Sequence, residues 1–205
     1  MVGKIGRPGC GVNPIRGQNN VQGACDMGAA PNQFPGYQNI VAPGIVEKFE
    51  KAWNTKLNPN VGIKATDCFP KMISGEIKGL FIFGEDPVRT DPNTSHVIHA
   101  LESLDFFVVD ELFMTETAKL ADVILPGRSY TEKEGTFTNT ERRVQRVRKA
   151  VEIAGETRPD TWIFTEIMNR MGYPQPHLTP AEIMDEIASV TPSFGGISHA
   201  RLDSE

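Results

Sequence analysis

The stretch Gly79-Leu80-Phe81-Ile82-Phe83-Gly84, with Asp105-Phe106-Phe107-Val108-Val109 after it, decides the fold class. Each is a short, uninterrupted apolar run closed by glycine or aspartate. That is the pattern of a strand buried on both faces of a parallel sheet, not of one alternating between core and water. Between them, Asp91 followed by Pro92 has the chemistry of a helix N-cap and first turn, and Val97, Ile98, Leu101 and Leu104 fall on one helix face. Residues 79–109 therefore read as a β-α-β unit, about the length a right-handed parallel crossover needs.

The same pattern extends outward. Residues 116–119 predict a short helix, and residues 121–125 a third buried strand closed by Pro126. Asp160 is placed to cap a helix carrying Trp162, Ile163, Ile167, Met168 and Met171, and Thr179-Pro180-Ala181-Glu182 reads as a capping box. Upstream, Ile45, Val46, Phe49, Ala52 and Trp53 recur at one-turn spacing and predict a helix ending before Pro59, with a second short helix over residues 69–77. The expected architecture is α/β, a Rossmann-like open parallel sheet with helices on both faces, over residues 44–205. Residues 1–43 are rich in glycine, proline and asparagine without a helix or strand period, and predict a loop-rich N-terminal arm ordered by contact with other parts of a protein.

Composition narrows the function. A chain of 205 residues suits one ordinary domain with an arm. A formal net charge of −5 argues against a general nucleic-acid binder, and apolar runs such as residues 80–83 and 106–109 are far too short to span a bilayer. No charged-then-apolar export signal opens the sequence. Cys10, Cys25 and Cys68 are odd in number and none are closely paired, which suits reduced thiols better than a disulfide framework, a zinc site or an iron–sulfur site. His96 and His99 flank the apolar face of their predicted helix with no third ligand nearby, so no residue is assigned to a metal.

Chemistry in an open α/β sheet gathers at the carboxyl ends of the strands, and here those positions are polar. Glu85, Asp86, Arg89 and Thr90 follow the first strand, Asp110 and Glu111 the second, and Gly127, Arg128 and Ser129 the third. An ionised carboxylate there can accept paired hydrogen bonds from a guanine edge or ribose hydroxyls. For Asp86 the alternative is a plain turn residue, since Asp-Pro is a common turn signal. No Walker loop is present, and Gly9-Cys10-Gly11 lacks the third glycine of a dinucleotide fingerprint, so ATP and NAD are not supported. The basic run Arg142, Arg143, Arg146, Arg148 and Lys149 reads either as a solvated face or as a contact for an anionic cofactor or neighbouring domain.

The segment Gly11-Val12-Asn13-Pro14-Ile15-Arg16-Gly17-Gln18-Asn19-Asn20-Val21-Gln22-Gly23-Ala24-Cys25-Asp26-Met27-Gly28 concentrates glycines, amides and one guanidinium, the make-up of a ligand loop. Arg16 either orients a small carboxylate through its planar fork or merely pairs with an acidic neighbour. This loop resembles the Arg-Gly-Gln-Asn-Asn-Val-Gln-Gly-Ala segment of molybdopterin-dependent oxidoreductases, most of all the formate dehydrogenase large subunit. The resemblance continues through Gly84-Glu85-Asp86-Pro87, residues 110–115, Ala121-Asp122-Val123-Ile124-Leu125-Pro126 and residues 134–142.

The resemblance implies an internal piece, Met1–Glu205, of a much larger cytoplasmic enzyme that oxidises formate at molybdenum or tungsten held by molybdopterin guanine dinucleotide. Arg16 would orient formate and Gln18 would contact the pterin. Asp86 and Thr90 would hold the guanosine, with Asp110, Gly127 and Asp160 beside it. Thr136, Thr138 and Asn139 look like the family's cofactor-facing turn. The metal-ligating Cys or selenocysteine, the 4Fe–4S cluster, the remaining domains and the electron-transfer subunits would lie outside this chain, and the isolated chain would be inactive. Related nitrate reductases share the motifs. The cofactor-free large subunit of respiratory NADH dehydrogenase is a structural alternative, disfavoured because a scaffold need not keep Arg16, Gln18, Asp86 and Thr90 together. A free-standing nucleotide-binding protein is disfavoured by the missing phosphate loop.

Overall fold

The computed structural model describes residues 3–153 and 155–204; Met1, Val2, Ala154 and Glu205 lie outside the described residues, and with them both ends of the expected piece. In chain order the helices are α1 Val21–Asp26, α2 Ile45–Trp53, α3 Ala65–Ile73, α4 Pro87–Thr90, α5 Thr94–Glu102, α6 Asp160–Arg170, α7 Pro180–Val190 and α8 His199–Ser204. The strands are β1 Gln33–Phe34, β2 Gln38–Asn39, β3 Gly79–Phe83, β4 Phe106–Glu111, β5 Val123–Pro126, β6 Gly135–Thr138 and β7 Val144–Val147. Two compact units emerge, one of Met1–Val61, Gly135–Val147 and Pro180–Glu205, the other of Gly62–Glu134 and Arg148–Thr179. Both are discontinuous in sequence, whereas composition suggested a division after residue 43.

The second unit holds the parallel sheet, in the order β3-β4-β5. Gly79 stands opposite Phe106 and Phe83 opposite Asp110, while Val108 faces Val123 and Glu111 faces Pro126. This register brings Gly84, Asp110 and Gly127 to the same, carboxyl end. On one face Leu80, Ile82, Phe107 and Val109 pack with Phe69 and Met72 of α3 and Val97, Ala100 and Leu101 of α5. Full burial of a side chain the size of Val97, Leu101 or Phe107 stabilises the unit by about 1.5–3 kcal/mol. On the other face the ring of Phe164 in α6 lies 5.6 Å from Phe81 and 5.4 Å from Phe83. The expected α/β sheet with helices on both faces is therefore present.

The sequence reading is corrected in several places. β3 is not buried on both faces, for Phe81 is 36% and Phe83 52% exposed. An unbroken apolar run records two apolar faces, and α6 covers the second only in part. Asp91 does not cap α5. Asn93 does, its Oδ1 accepting from His96 N at 3.3 Å, while Asp91 accepts from Asn93 N in the preceding turn. Asp160 is the first residue of α6 rather than its cap, which is Pro159. The helix expected over residues 69–77 runs from Ala65 to Ile73, and that over 116–119 is a 3-10 turn, Ala118–Leu120.

Within residues 1–43, expected as a loop-rich arm without a sustained period, the only regular elements among the described residues are the short α1 and the β1–β2 hairpin, and they belong to the first unit. That unit contains α1, the β1–β2 hairpin, α2, the antiparallel β6–β7 pair, α7 and α8. Its core gathers on Phe49, fully buried and stacked on Phe34 at 4.5 Å and against Trp53 at 4.8 Å. The last carbonyl of α7, Val190 O, accepts from Lys48 Nζ at 2.7 Å and Gln38 Nε2 at 3.0 Å, which satisfies a helix end that lacks an intrahelical donor. α1 escapes an apolar-period search because its buried residues are Gln22 and Asp26, polar side chains four apart on one face.

Candidate functional site

In the first unit the ligand loop and the β6–β7 turn enclose an open cleft of about 470 Å3, lined among others by Arg16, Gln18, Asn20, Phe137, Thr138 and Asn139. The two sides are tied by Asn20, whose Oδ1 accepts from Thr138 N at 2.9 Å. Asn20 sits at φ +57°, a conformation that asparagine tolerates better than most residues. The Arg16 guanidinium, exposed at the cleft, donates to Gln22 Oε1 at 3.0 Å. Its neighbour is thus an amide, not the acidic partner that the plain structural reading required. Gln22 in turn donates to Asp26 Oδ1 at 2.8 Å and Tyr37 Oη at 2.9 Å. Burial first, and then the hydrogen bond to Asp26, push the Tyr37 phenol above its ordinary range.

In the second unit the carboxyl ends of β4 and β5 form a second site. Asp110 is 1% exposed, and its Oδ2 is buried without a hydrogen-bond partner. Burial, reinforced by the charge of Asp160, pushes its carboxyl up to about 6, opposed by Lys133. Lys133 and Asp160 are ion-paired. Gly127 closes the group: a Cβ there would lie 2.6 Å from Asp110 Oδ1 and 3.2 Å from Asp160 Oδ1. Arg128 Nη2 donates to Thr157 O at 3.1 Å, while its buried Nε has no partner.

The structure brings Asp110, Gly127 and Asp160 together and sets Arg16 and Gln18 on the other unit's cleft. Asp86 and Thr90 belong to a separate local network. Asp86 Oδ1 accepts from Thr117 Oγ1 at 2.5 Å and Thr117 N at 3.1 Å, and Thr117 Oγ1 accepts from Val88 N at 3.1 Å. Thr90 Oγ1 donates to Glu85 Oε1 at 3.1 Å. The basic run is largely paired, Arg142 with Asp26, Arg146 with Asp203 and Lys149 with Glu152. Sequence reasoning missed Lys133, Gln22, Asp26 and Tyr37; only the four-residue spacing of Gln22 and Asp26 offered a signal. Among the described residues no group of three His, Cys, Asp or Glu side chains could hold a metal ion, and no helix is long and apolar enough to cross a membrane. The His96 ring packs edge-on to Phe69 at 6.3 Å.

Comparison with known proteins follows these motifs. The F420-dependent formate dehydrogenase 1 subunit alpha of Methanococcus maripaludis is 51% identical over 98% of this chain and 30% of its own length. The F420-dependent formate dehydrogenase subunit alpha of Methanocaldococcus jannaschii is 53% identical over the same shares. The chain thus spans about 30% of the length of these curated relatives. The solved acetylene hydratase from Pelobacter acetylenicus superposes with a TM-score of 0.56 at 23% identity, covering 79% of this chain and 23% of that one, a likeness of fold alone. The family model described as Molybdopterin oxidoreductase matches residues 1–170, ligand loop and strand ends included, and the chain belongs to that family.

Proposed function

We propose that this chain is an internal part of a formate dehydrogenase large subunit, in which one unit orients formate and the other grips the guanosine of a molybdopterin guanine dinucleotide. The observation that carries the reading is Arg16, set at an open cleft and held by an amide instead of being neutralised by a carboxylate. A guanidinium so placed keeps its charge and its planar donor fork for a small anion, and positioning of this kind is a large part of what a protein contributes to such a step. The relatives' names support formate as that anion.

The strand-end residues fit the nucleotide. Asp110 offers a buried oxygen without a donor, and Gly127, where a Cβ would lie 2.6 Å from the other oxygen of that carboxylate, lets the two strand ends come this close. The base or ribose of the cofactor would donate to Asp110, with Asp160 held by Lys133 alongside, and Asp86 and Thr90 at the end of β3 would complete the grip. Gln18 would reach the pterin from the cleft. When bound, the cofactor with its molybdenum or tungsten would supply the two-electron acceptor needed for formate to become carbon dioxide and a proton. The chain's own residues would bind and orient the anion and the cofactor. A 4Fe–4S cluster, the other domains of the subunit and electron-transfer subunits complete the proposed cytoplasmic enzyme.

The test uses the full-length subunit, loaded with metal and clusters, assayed with formate and a dye acceptor and separately with nitrate and a dye donor. Formate oxidation without nitrate reduction is expected. Nitrate reduction would move the assignment to the related reductases, and absence of bound pterin would favour a structural subunit. The isolated chain is expected to show no turnover.

A further inference from the structure

We infer that Asp26, clamped by Arg142 and Tyr37, is a positioning residue that fixes which end of the Gln22 amide faces Arg16, and thereby aims the guanidinium. The inference rests on Arg16 being the residue that orients formate.

The argument is one of hydrogen-bond polarity. A side-chain amide presents an acceptor at one end and donors at the other, and its orientation is set by its neighbours. An ionised carboxylate only accepts. Asp26 is 1% exposed and Gln22 4%, so water does not decide between the two orientations. Asp26 Oδ1 accepts from Gln22 Nε2 at 2.8 Å and from Arg142 Nη2 at 3.1 Å, while Tyr37 Oη accepts from the same Gln22 nitrogen at 2.9 Å. Both contacts draw the NH2 end inward, which leaves Oε1 as the only end that can meet Arg16 Nη2, at 3.0 Å. An amide turned the other way would point two donors at a guanidinium that has no acceptor.

Arg142 holds the carboxylate in place. It reaches Asp26 from the β6–β7 turn, where its backbone sits at φ +66°, and its guanidinium lies over the Tyr37 ring at 5.5 Å from the centroid. The network spends a buried, ion-paired carboxylate on an amide rotamer, which a purely structural helix could achieve with apolar residues. The arginine at the cleft is therefore aimed from behind by a residue that does not line the cleft.

The experiment compares Asp26→Asn, Gln22→Met, Arg16→Lys and the double variant Asp26→Asn with Arg16→Lys in the full-length loaded subunit. Asparagine keeps the shape of Asp26 but can offer a donor, which frees the Gln22 amide to turn. Three quantities are read: KM and kcat for formate, the Kd for azide (a triatomic anion near formate in size) by calorimetry without turnover, and bound pterin and metal per subunit. Asp26→Asn is expected to raise KM and the azide Kd about tenfold, the worth of one charge-assisted hydrogen bond, with kcat moved far less and cofactor content retained. Gln22→Met, which leaves the Asp26–Arg142 pair intact, should do the same and serves if Asp26→Asn does not fold. The double variant should be no worse than Arg16→Lys alone. Losses that add, unchanged anion affinity in Asp26→Asn and Gln22→Met, or loss of cofactor in step with activity would overturn the inference while leaving Arg16 in its role. If Arg16→Lys itself changes neither KM nor the azide Kd, the reading of Arg16 falls first, and this inference with it.

Discussion

Asp110 and Gly127, at the ends of neighbouring parallel strands, are so close that a side chain on the glycine would press on the carboxylate: a Cβ at 127 would lie 2.6 Å from Asp110 Oδ1. Gly127 is needed for space and not for an unusual backbone, since it is absent from the glycines with positive φ. Gly127→Ala is therefore expected to destabilise the second unit by about 1–3 kcal/mol, the cost of overpacking a buried site. It should lower Tm in a melting experiment on the chain and deplete pterin in the full-length subunit. An unchanged Tm would mean that the strand ends can spread, and that this contact is softer than its packing implies.

The charge on Asp110 gives a pH dependence whose sign can be worked out. Its carboxyl is held up to about 6 by burial and then by Asp160, against an ordinary value near 3.8. Between those values the folded chain keeps a proton that the unfolded chain releases, so the contribution of Asp110 to stability is full below about 3.8 and lost as the pH rises towards 6. The loss is on the order of 3 kcal/mol. Asp110→Asn should flatten the fall in chemical-denaturation stability between pH 4 and 7 and raise stability at neutral pH. In the loaded subunit the same substitution should lower cofactor content, because the acceptor proposed for the guanosine has lost its charge. A stabilised chain with weakened cofactor binding is the expected pair of results; retention of full cofactor would remove Asp110 from the nucleotide site.

The strand-end carboxylate and glycine were legible because unbroken apolar runs fix both where parallel strands lie and where they end. The three strands and the polar positions after each follow from residues 79–127 almost alone, while their order in the sheet is read from the structure. The glycine- and amide-rich loop was legible as a segment without an apolar period, but not as structure. Its helix buries Gln22 and Asp26, which an apolar period cannot reveal, and the partner that stabilises Asp26 is Arg142, 116 residues away. The basic run showed charge without showing that Asp26, Asp203 and Glu152 would answer it. Asp91 and Asp160 were misread as caps for a related reason. Several residues near a helix start can cap it, and the choice is made by tertiary partners such as Lys133, which ties up the Asp160 carboxylate.

Arg16 gives the sharpest functional outcome. Lysine at 16 would keep a positive charge but replace the planar fork with a point donor, and so lose the geometry that Gln22 Oε1 now meets at 3.0 Å. Arg16→Lys in the full-length subunit is expected to lower kcat/KM for formate by at least about tenfold, the effect of losing one oriented charge-assisted hydrogen bond. Pterin and metal content should stay near the parent's, measured on the same preparation. Loss of cofactor in proportion to activity would make Arg16 a structural residue of the loop.

Asp86 separates structure from cofactor binding through a single atom. Its Oδ1 satisfies both the backbone N–H and the hydroxyl of Thr117, a fully buried residue. Asp86→Ala would leave those donors unpaired, at a cost of about 1–3 kcal/mol each, and so should lower Tm whether or not a nucleotide ever binds. Asp86→Asn retains an acceptor oxygen in the same place and should hold Thr117 with little change in Tm. It nevertheless carries no negative charge and turns one acceptor into a donor, so it faces the NH groups of a guanine edge with the wrong polarity. If Asp86 grips guanosine, Asp86→Asn in the full-length subunit should lose bound cofactor while keeping its fold. Normal cofactor content in Asp86→Asn, beside a destabilised Asp86→Ala, would show that Asp86 holds the turn between β3 and α4 and nothing more.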